Sequence, residues 1–316
     1  MSSFSILITT YNRKDRLLQM LKSIEKQGHF DAFSILISDN CSDYDVEQTI
    51  RDNFKKDFYS IITVHRWEFN IGMSANISVS MALVNTDWCL FLSDDDELSP
   101  NSIETVIRDI EHNPDAVALK YSLSREYEFP DGRFETIDAV IDYYDRRPKI
   151  IGEAFYLTQV YNLKLLKPYL GLLTTYSYTY VSFFIVLLFA LRDNVGYMFT
   201  SSFIIVKYKQ ATKGEGWTAG FSMVKTFLGI TTLQDVFIND DKFKRKEDLL
   251  KVMFRFLLVS TTAGLVEKNL TGKDKMRVFS RIYDAARISH PIYRFIPTRL
   301  AYYLLLIRFK KHDSVS

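Results

Sequence analysis

Five short apolar runs, FSILIT, FSILIS, SIITVH, WCLFLS and AVALKY, punctuate the first 120 residues and alternate with segments of helical period. Runs this short, rich in β-branched and aromatic residues and bounded by turn residues, read as strands; the 3.6-residue spacing between them reads as amphipathic helix. Strands that alternate with helices specify a parallel α/β sheet. The helix after Tyr11 has Asn12 and Asp15 at the spacing of a capping pair, and Leu17, Leu18, Leu21 and Ile24 form its buried stripe. A second helix is expected near Asp45 to Phe54, a third after Gly72, and a fourth from Ser99, with Pro100 in the first turn, where a missing N–H is tolerated.

From Ser122 to Lys149 the pattern turns irregular around the turn signal FPDGRFE, and a hairpin or partner-facing loop is expected there. AFYLTQVYNLKLL then reads as a strand running into a helix, and GYMFTSSFIIVKYK as a closing strand. We place one domain in residues 1–210 and a mainly helical region in 211–316, beginning with the glycine-punctuated ATKGEGWTAGFS. Nothing between Lys167 and Arg192 is charged, a length that could span a bilayer at about 20 residues. Its first half, PYLGLLTTYSYTY, is rich in hydroxyls and only FFIVLLFAL is strongly apolar, so a helix buried inside the protein is expected.

A hydrophobic content of 47% is ample for a core, and a formal net charge of +2 gives no electrostatic mandate for nucleic acid. Cys41 and Cys89 lie far apart, which argues against a disulfide framework and a zinc ribbon and for a reducing compartment. The N-terminus MSSFSILITTYNRKDR lacks the pattern of a secretory signal, so a cytoplasmic location is expected. The five histidines have no ligand spacing.

In an open parallel sheet, ligands bind beyond the carboxyl ends of the strands. Here those ends carry Thr9, Thr10, Tyr11, Asn12 and Arg13; Asp39 and Asn40; Asn70 and Gly72; and Asp94, Asp95 and Asp96. Each alone has a plain structural use: a cap, an Asx turn, a tight turn. Their repetition at four successive strand ends points to one shared crevice. In LSDDDELSP, a single acid would satisfy a helix dipole, worth about 0.3–1 kcal/mol. Three consecutive aspartates repel one another, and a hard divalent cation relieves that repulsion. The chain has neither GxxxxGK[ST] nor GxGxxG, so the P-loop and the ordinary dinucleotide site are without support.

The segments SILITTYNRKDRL, ILISDNCSD, NIGMSAN and FLSDDDELSP, in this order over about residues 4–110, resemble the family 2 glycosyltransferases of the GT-A fold, of the bacterial cell-surface polysaccharide type. The resemblance implies a Rossmann-like, mostly parallel central sheet flanked by helices, with a C-terminal helical extension. It also implies sugar transfer from a nucleotide-diphosphate-sugar donor to an acceptor hydroxyl on a surface glycan or lipid-linked precursor, dependent on Mn²⁺ or Mg²⁺. Thr9 and Tyr11 match the positions that hold the nucleotide base, Tyr11 by stacking, and Asp39 the acid that accepts the base N–H. Arg13 and Asn70 are candidates for phosphate or ribose, and Asn76, one helical turn past Gly72, is expected to face the same crevice. Asp94 matches the ribose-contacting acid and Asp95 the principal metal ligand. Asp96 is a further metal ligand, directly or through water, and is placed with the catalytic machinery.

One departure concerns the general base that inverting members carry near the acceptor-side helix. The corresponding GLLTTYSYTYVSFF has no Asp, Glu or His, so the base is unassigned; Glu153, Asp193 and Glu215 are the acids closest in sequence, with Glu215 preferred for its glycine-flanked loop. A catalytically silent binding or scaffold protein of the same fold is a second reading, and a nucleotidyltransferase a third, although TTYNRKDR lacks the glycine-rich loop that it would need. RIYDAARISHPIYRFIPTRLAYYLLLIRFKKH interleaves basic and aromatic residues, which suits either peripheral contact with an anionic membrane face or packing on the protein itself; nucleic acid is not expected as a partner.

Overall fold

The computed structural model describes residues 4–122, 131–146, 159–179, 182–193, 196–207, 248, 272–289 and 296–301. The chain divides into two compact units, one of Met1–Ala139, Phe155–Ser177 and Ser182–Gln210, the other of Val140–Ala154, Tyr178–Val181 and Ala211–Ser316.

The first unit opens with β1 (Phe4–Thr10), α1 (Lys14–Glu25), β2 (Ser34–Asp39), α2 (Val46–Asn53), the single turn α3 (Lys56–Tyr59) and β3 (Ile62–Arg66). It continues through α4 (Met73–Ser80), β4 (Trp88–Ser93), β5 (Glu97–Leu98), α5 (Ser102–His112) and β6 (Ala118–Ser122). The later elements are β7 (Gly132–Phe134), α6 (Ile137–Arg146), most of which is assigned to the second unit, β8 (Val160–Asn162), α7 (Leu163–Leu166), α8 (Leu170–Thr175), α9 (Ser182–Arg192), β9 (Tyr197–Phe203) and β10 (Ile205–Lys207). In the second unit α10 (Gly272–Ser289) stacks Phe279 on Tyr283, whose hydroxyl donates to the Ile296 carbonyl.

Eight described strands form one sheet in the order β3-β2-β1-β4-β8-β6-β9-β7. β1 pairs in parallel with β2 and β4, and β2 with β3, as helical crossovers require. β8 lies antiparallel between β4 and β6, and β7 antiparallel on β9, so the sheet is mixed on that side. Ile6, Ile8, Ile35, Ile37, Leu90 and Leu92 alternate along their strands into one core layer with Leu17, Met20, Leu21 and Ile24 of α1.

Four local expectations are corrected. Asn12 does not cap α1: it takes a left-handed φ of 55°, and its side chain exchanges hydrogen bonds with Asp43, leaving Arg13 at the N-cap position. The fourth helix starts at Ser102, because Glu97 and Leu98 pair with β10 and the Ser99 N–H donates to the Ile204 carbonyl at 2.9 Å. The stretch after Ser122 holds regular structure in β7 and α6. Ile137, Val140, Ile141 and Tyr144, at helical spacing, are buried there, and the Thr136 hydroxyl accepts from the Ala139 N–H. Finally, the uncharged segment is not one helix. It breaks into α8, a turn at Ser177–Thr179 and the eleven-residue α9, about 16 Å long by the helical rise. α9 is buried, with Phe183 against Phe91 and Tyr161. No helix among the described residues is long and apolar enough to cross a membrane.

Candidate active site

Strand order reverses on either side of β1, so the crevice beyond the carboxyl ends of β1 and β4 is the topological switch point of the sheet. Register then aligns the last residues of neighbouring strands. Thr10 of β1 stands beside Asp39 of β2, and Asp39 beside Arg66 of β3. On the other side of β1, the Thr10 hydroxyl donates to Asp94 Oδ2 at 2.8 Å. The result is one row, Arg66, Asp39, Thr10 and Asp94, across four strand ends.

Each carboxylate in this row is desolvated and held. Asp39 is fully buried; its Oδ1 accepts from the Ser42 N–H at 2.9 Å and its Oδ2 from Arg66 Nη1 at 2.9 Å. Arg66 also donates to the carbonyls of Ser42 and Tyr44, which ties the loop after β2 to β3. The Tyr44 hydroxyl is pushed up to about 12 by burial and then by the negative charges of Asp39 and Asp94. For Asp94, burial raises the carboxyl pKa, and the Arg13 guanidinium and the Thr10 hydroxyl pull against that rise.

The loops complete the rim. Tyr11 leaves its ring exposed beyond β1. Asn40 Nδ2 donates to Asn70 Oδ1, which also accepts from the Gly72 N–H, while Asn40 Oδ1 accepts from the Ile71 N–H. Gly72 takes φ 86° and ψ 151°, a combination open essentially to glycine alone, and starts α4. On the opposite rim Arg13 Nη1 lies 2.8 Å from Asp94 Oδ1 and 3.5 Å from Asp95 Oδ2, and Arg16 Nη1 lies 3.4 Å from that same Asp95 oxygen. Asp95 Oδ1 accepts from the Ser93 hydroxyl. Asp96 is buried, with its N–H bonded to the Ser93 carbonyl.

Of the residues singled out in the sequence, Tyr11, Arg13, Asp39, Asn70, Asp94, Asp95 and Asp96 all fall at the carboxyl ends of β1 to β4, and Thr9 lies half-buried in register with Ser38 and Ser93. Asn76 sits a layer deeper. It is 2% exposed, its Oδ1 accepts from Ser38 Oγ at 2.7 Å and Trp67 Nε1 at 2.8 Å, and its Nδ2 donates to the Ser38 carbonyl at 3.3 Å. The amide thus pins α4 to β2. Glu153 and Glu215 lie outside the described residues, and Asp193 accepts from the Tyr169 hydroxyl at 2.6 Å and from Arg192. Sequence reasoning missed Arg16, Ser42, Tyr44 and Arg66, and gave Thr10 no role. Arg66 ends a strand, as the other site residues do, and that position was the available signal. Among the described residues, no three His, Cys, Asp or Glu side chains converge as a ready metal cage; in the acidic turn the Asp95 side chain is 18% exposed against 4% for Asp94.

The chain is similar to Salmonella typhimurium abequosyltransferase RfbV, with 36% identity over 100 residues, 31% of this chain and 30% of that protein. It is also similar to the GalNAc(5)-diNAcBac-PP-undecaprenol beta-1,3-glucosyltransferase of Campylobacter jejuni, with 28% identity over 108 residues, 34% of each chain. The chain therefore matches about a third of the length of these relatives. Among solved structures, S. aureus TarS 1-349 in complex with UDP-GlcNAc superposes with a TM-score of 0.62 at 16% identity, covering 90% of this chain and 81% of that one. The mannosyltransferase PcManGT of Pyrobaculum calidifontis, in complex with GDP-Man and Mn²⁺, superposes with a TM-score of 0.54 at 12% identity, covering 96% and 85%. These likenesses establish the GT-A architecture. The sequence model of glycosyl transferase family 2 matches residues 5–162, half of the 316-residue chain, from the second residue of β1 to the end of β8, and the chain belongs to that family.

Proposed function

We propose that the protein transfers a sugar from a nucleotide-diphosphate donor to an acceptor hydroxyl on a surface glycan or its lipid-linked precursor, with a divalent cation. The observation that carries this reading is the row Arg66, Asp39, Thr10 and Asp94: two buried carboxylates and their cationic partners at the switch point, where an α/β sheet binds nucleotides. The exposed Tyr11 ring offers a stacking face for a base beside Asp39, and Arg13 and Asn70 lie along the rim available to ribose and phosphates. The named activities of the relatives, on an undecaprenol-linked glycan in one case, support the acceptor class.

The donor set of the acidic turn fits a cation brought in with a diphosphate. Carboxylate oxygens are hard donors, and Mg²⁺ and Mn²⁺ commonly take one or two of them from the protein and the remainder from water and substrate phosphates. Asp95 and Asp96 would hold the ion, which would neutralise charge on the departing diphosphate. The protein's own part is to seat the base and ribose, to keep Asp94 oriented through Thr10 and Arg13, and to screen the leaving group with guanidinium charge.

Nucleotide sugars screened by thermal shift with and without Mn²⁺ test the reading, since a ligand at 100 times its Kd stabilises a fold by about 2.7 kcal/mol. Asp95→Ala should lower turnover at least ~100-fold, the scale of losing a main electrostatic stabiliser. Unchanged turnover in that variant would refute the assignment. The acid-free stretch 171–184 favours one second reading, a silent nucleotide-sugar-binding protein, which donor binding without turnover across an acceptor panel would support.

A further inference from the structure

The first turn of α1 is charged against its own dipole. Arg13 at the N-cap, Lys14 and Arg16 sit at the positive end of the helix, where cations are disfavoured, with Asp15 as the one acid among them. The two arginines find compensation in the acidic turn after β4, more than 75 residues away in sequence: Arg13 holds Asp94, and Asp95 Oδ2 lies 3.5 Å from Arg13 and 3.4 Å from Arg16. This Asp95 oxygen therefore already carries guanidinium charge.

The two arginines are not equivalent. Arg13 is fastened to the buried Asp94 by a 2.8 Å ion pair. Arg16 meets Asp95 at 3.4 Å, a longer distance than the Arg13–Asp94 pair, from a helical position one turn in. A guanidinium fork pairs with phosphate oxygens as well as with a carboxylate. Resting on the metal-dependent reading above, we propose that Arg16 is a positioning residue that occupies Asp95 until a donor diphosphate draws it away, so that cation and donor load together and the donor-free protein holds the cation weakly.

The test uses the full chain and two probes. Mn²⁺ alone, titrated by electron paramagnetic resonance, should bind Arg16→Gln about tenfold more tightly than wild type once the competing charge is removed, while Arg16→Lys stays near wild type. Adding Asp95→Asn to Arg16→Gln should abolish the gain. Inorganic pyrophosphate in cation-free buffer, followed by calorimetry, should bind Arg16→Gln about tenfold more weakly and Arg16→Lys nearly as well as wild type. If Arg16→Gln binds Mn²⁺ no more tightly while Asp95→Asn still weakens binding, the exchange is overturned and the metal reading stands. If Asp95→Asn leaves Mn²⁺ binding untouched in both backgrounds, both fall. Equal pyrophosphate affinity in Arg16→Gln overturns the transfer to phosphate.

Discussion

Asn76→Ala separates a residue that touches substrate from one that builds the wall behind it. The side-chain amide is 2% exposed and accepts from Ser38 Oγ at 2.7 Å and Trp67 Nε1 at 2.8 Å. It also donates to the Ser38 carbonyl at 3.3 Å. Truncation removes these bonds, each worth about 1 kcal/mol net. The indole keeps Ser38 Oγ at 3.0 Å, so one donor stays satisfied, whereas the Ser38 carbonyl loses this donor. The loss sums to about 2–4 kcal/mol. At roughly 2–4 °C per kcal/mol for a unit of this size, the melting temperature should fall by about 5–15 °C. Thermal melts paired with initial rates well below the transition make the assay, and the rates should stay within about threefold of wild type, since the amide points into the α4–β2 packing. A tenfold loss of kcat/KM with an unchanged melting temperature would refute the reasoning and return Asn76 to the substrate.

Three other outcomes follow from the same structure. Gly72→Ala adds a Cβ that meets nothing within 4 Å, but at φ 86° and ψ 151° the backbone strain alone should cost about 1–3 kcal/mol, read in a urea melt; a neutral variant would mean that the loop relaxes freely. Of the two cysteines, the half-buried Cys41 should react with a thiol reagent at pH 8, whereas Cys89, fully buried with its thiol pushed up by burial, should react only after denaturation; two fast thiols in native protein would contradict the β4 placement. Burial and the Asp193 carboxylate raise the Tyr169 hydroxyl to about 12, so its contribution is present below pH 10 and is lost as pH rises through 12. The stability gap between wild type and Tyr169→Phe, from melts at successive pH values, should therefore shrink across that window, and a constant gap would contradict the Tyr169–Asp193 bond.

The amino-acid order alone determined the first four strands and α1, α2 and α4 between them, though not the single turn α3, because hydrophobic period is a local property that each longer segment carries with it. It also marked the strand ends that bear chemistry, from Tyr11 and Arg13 to Asp94, Asp95 and Asp96, because polar residues directly after apolar runs must sit where strands stop. Tertiary structure decided what those ends are to one another. Thr10 meets Asp94 across 84 residues, and Arg66 meets Asp39 across 27; such pairings depend on sheet register, which no local pattern encodes. The same holds for β5, a two-residue strand that exists through its pairing with β10 and thereby delays α5 to Ser102. It holds also for Asn76, whose place behind the crevice follows from the packing of α4 on β2 and Trp67, and for Arg16, whose charge makes sense only once Asp95 is brought across to it.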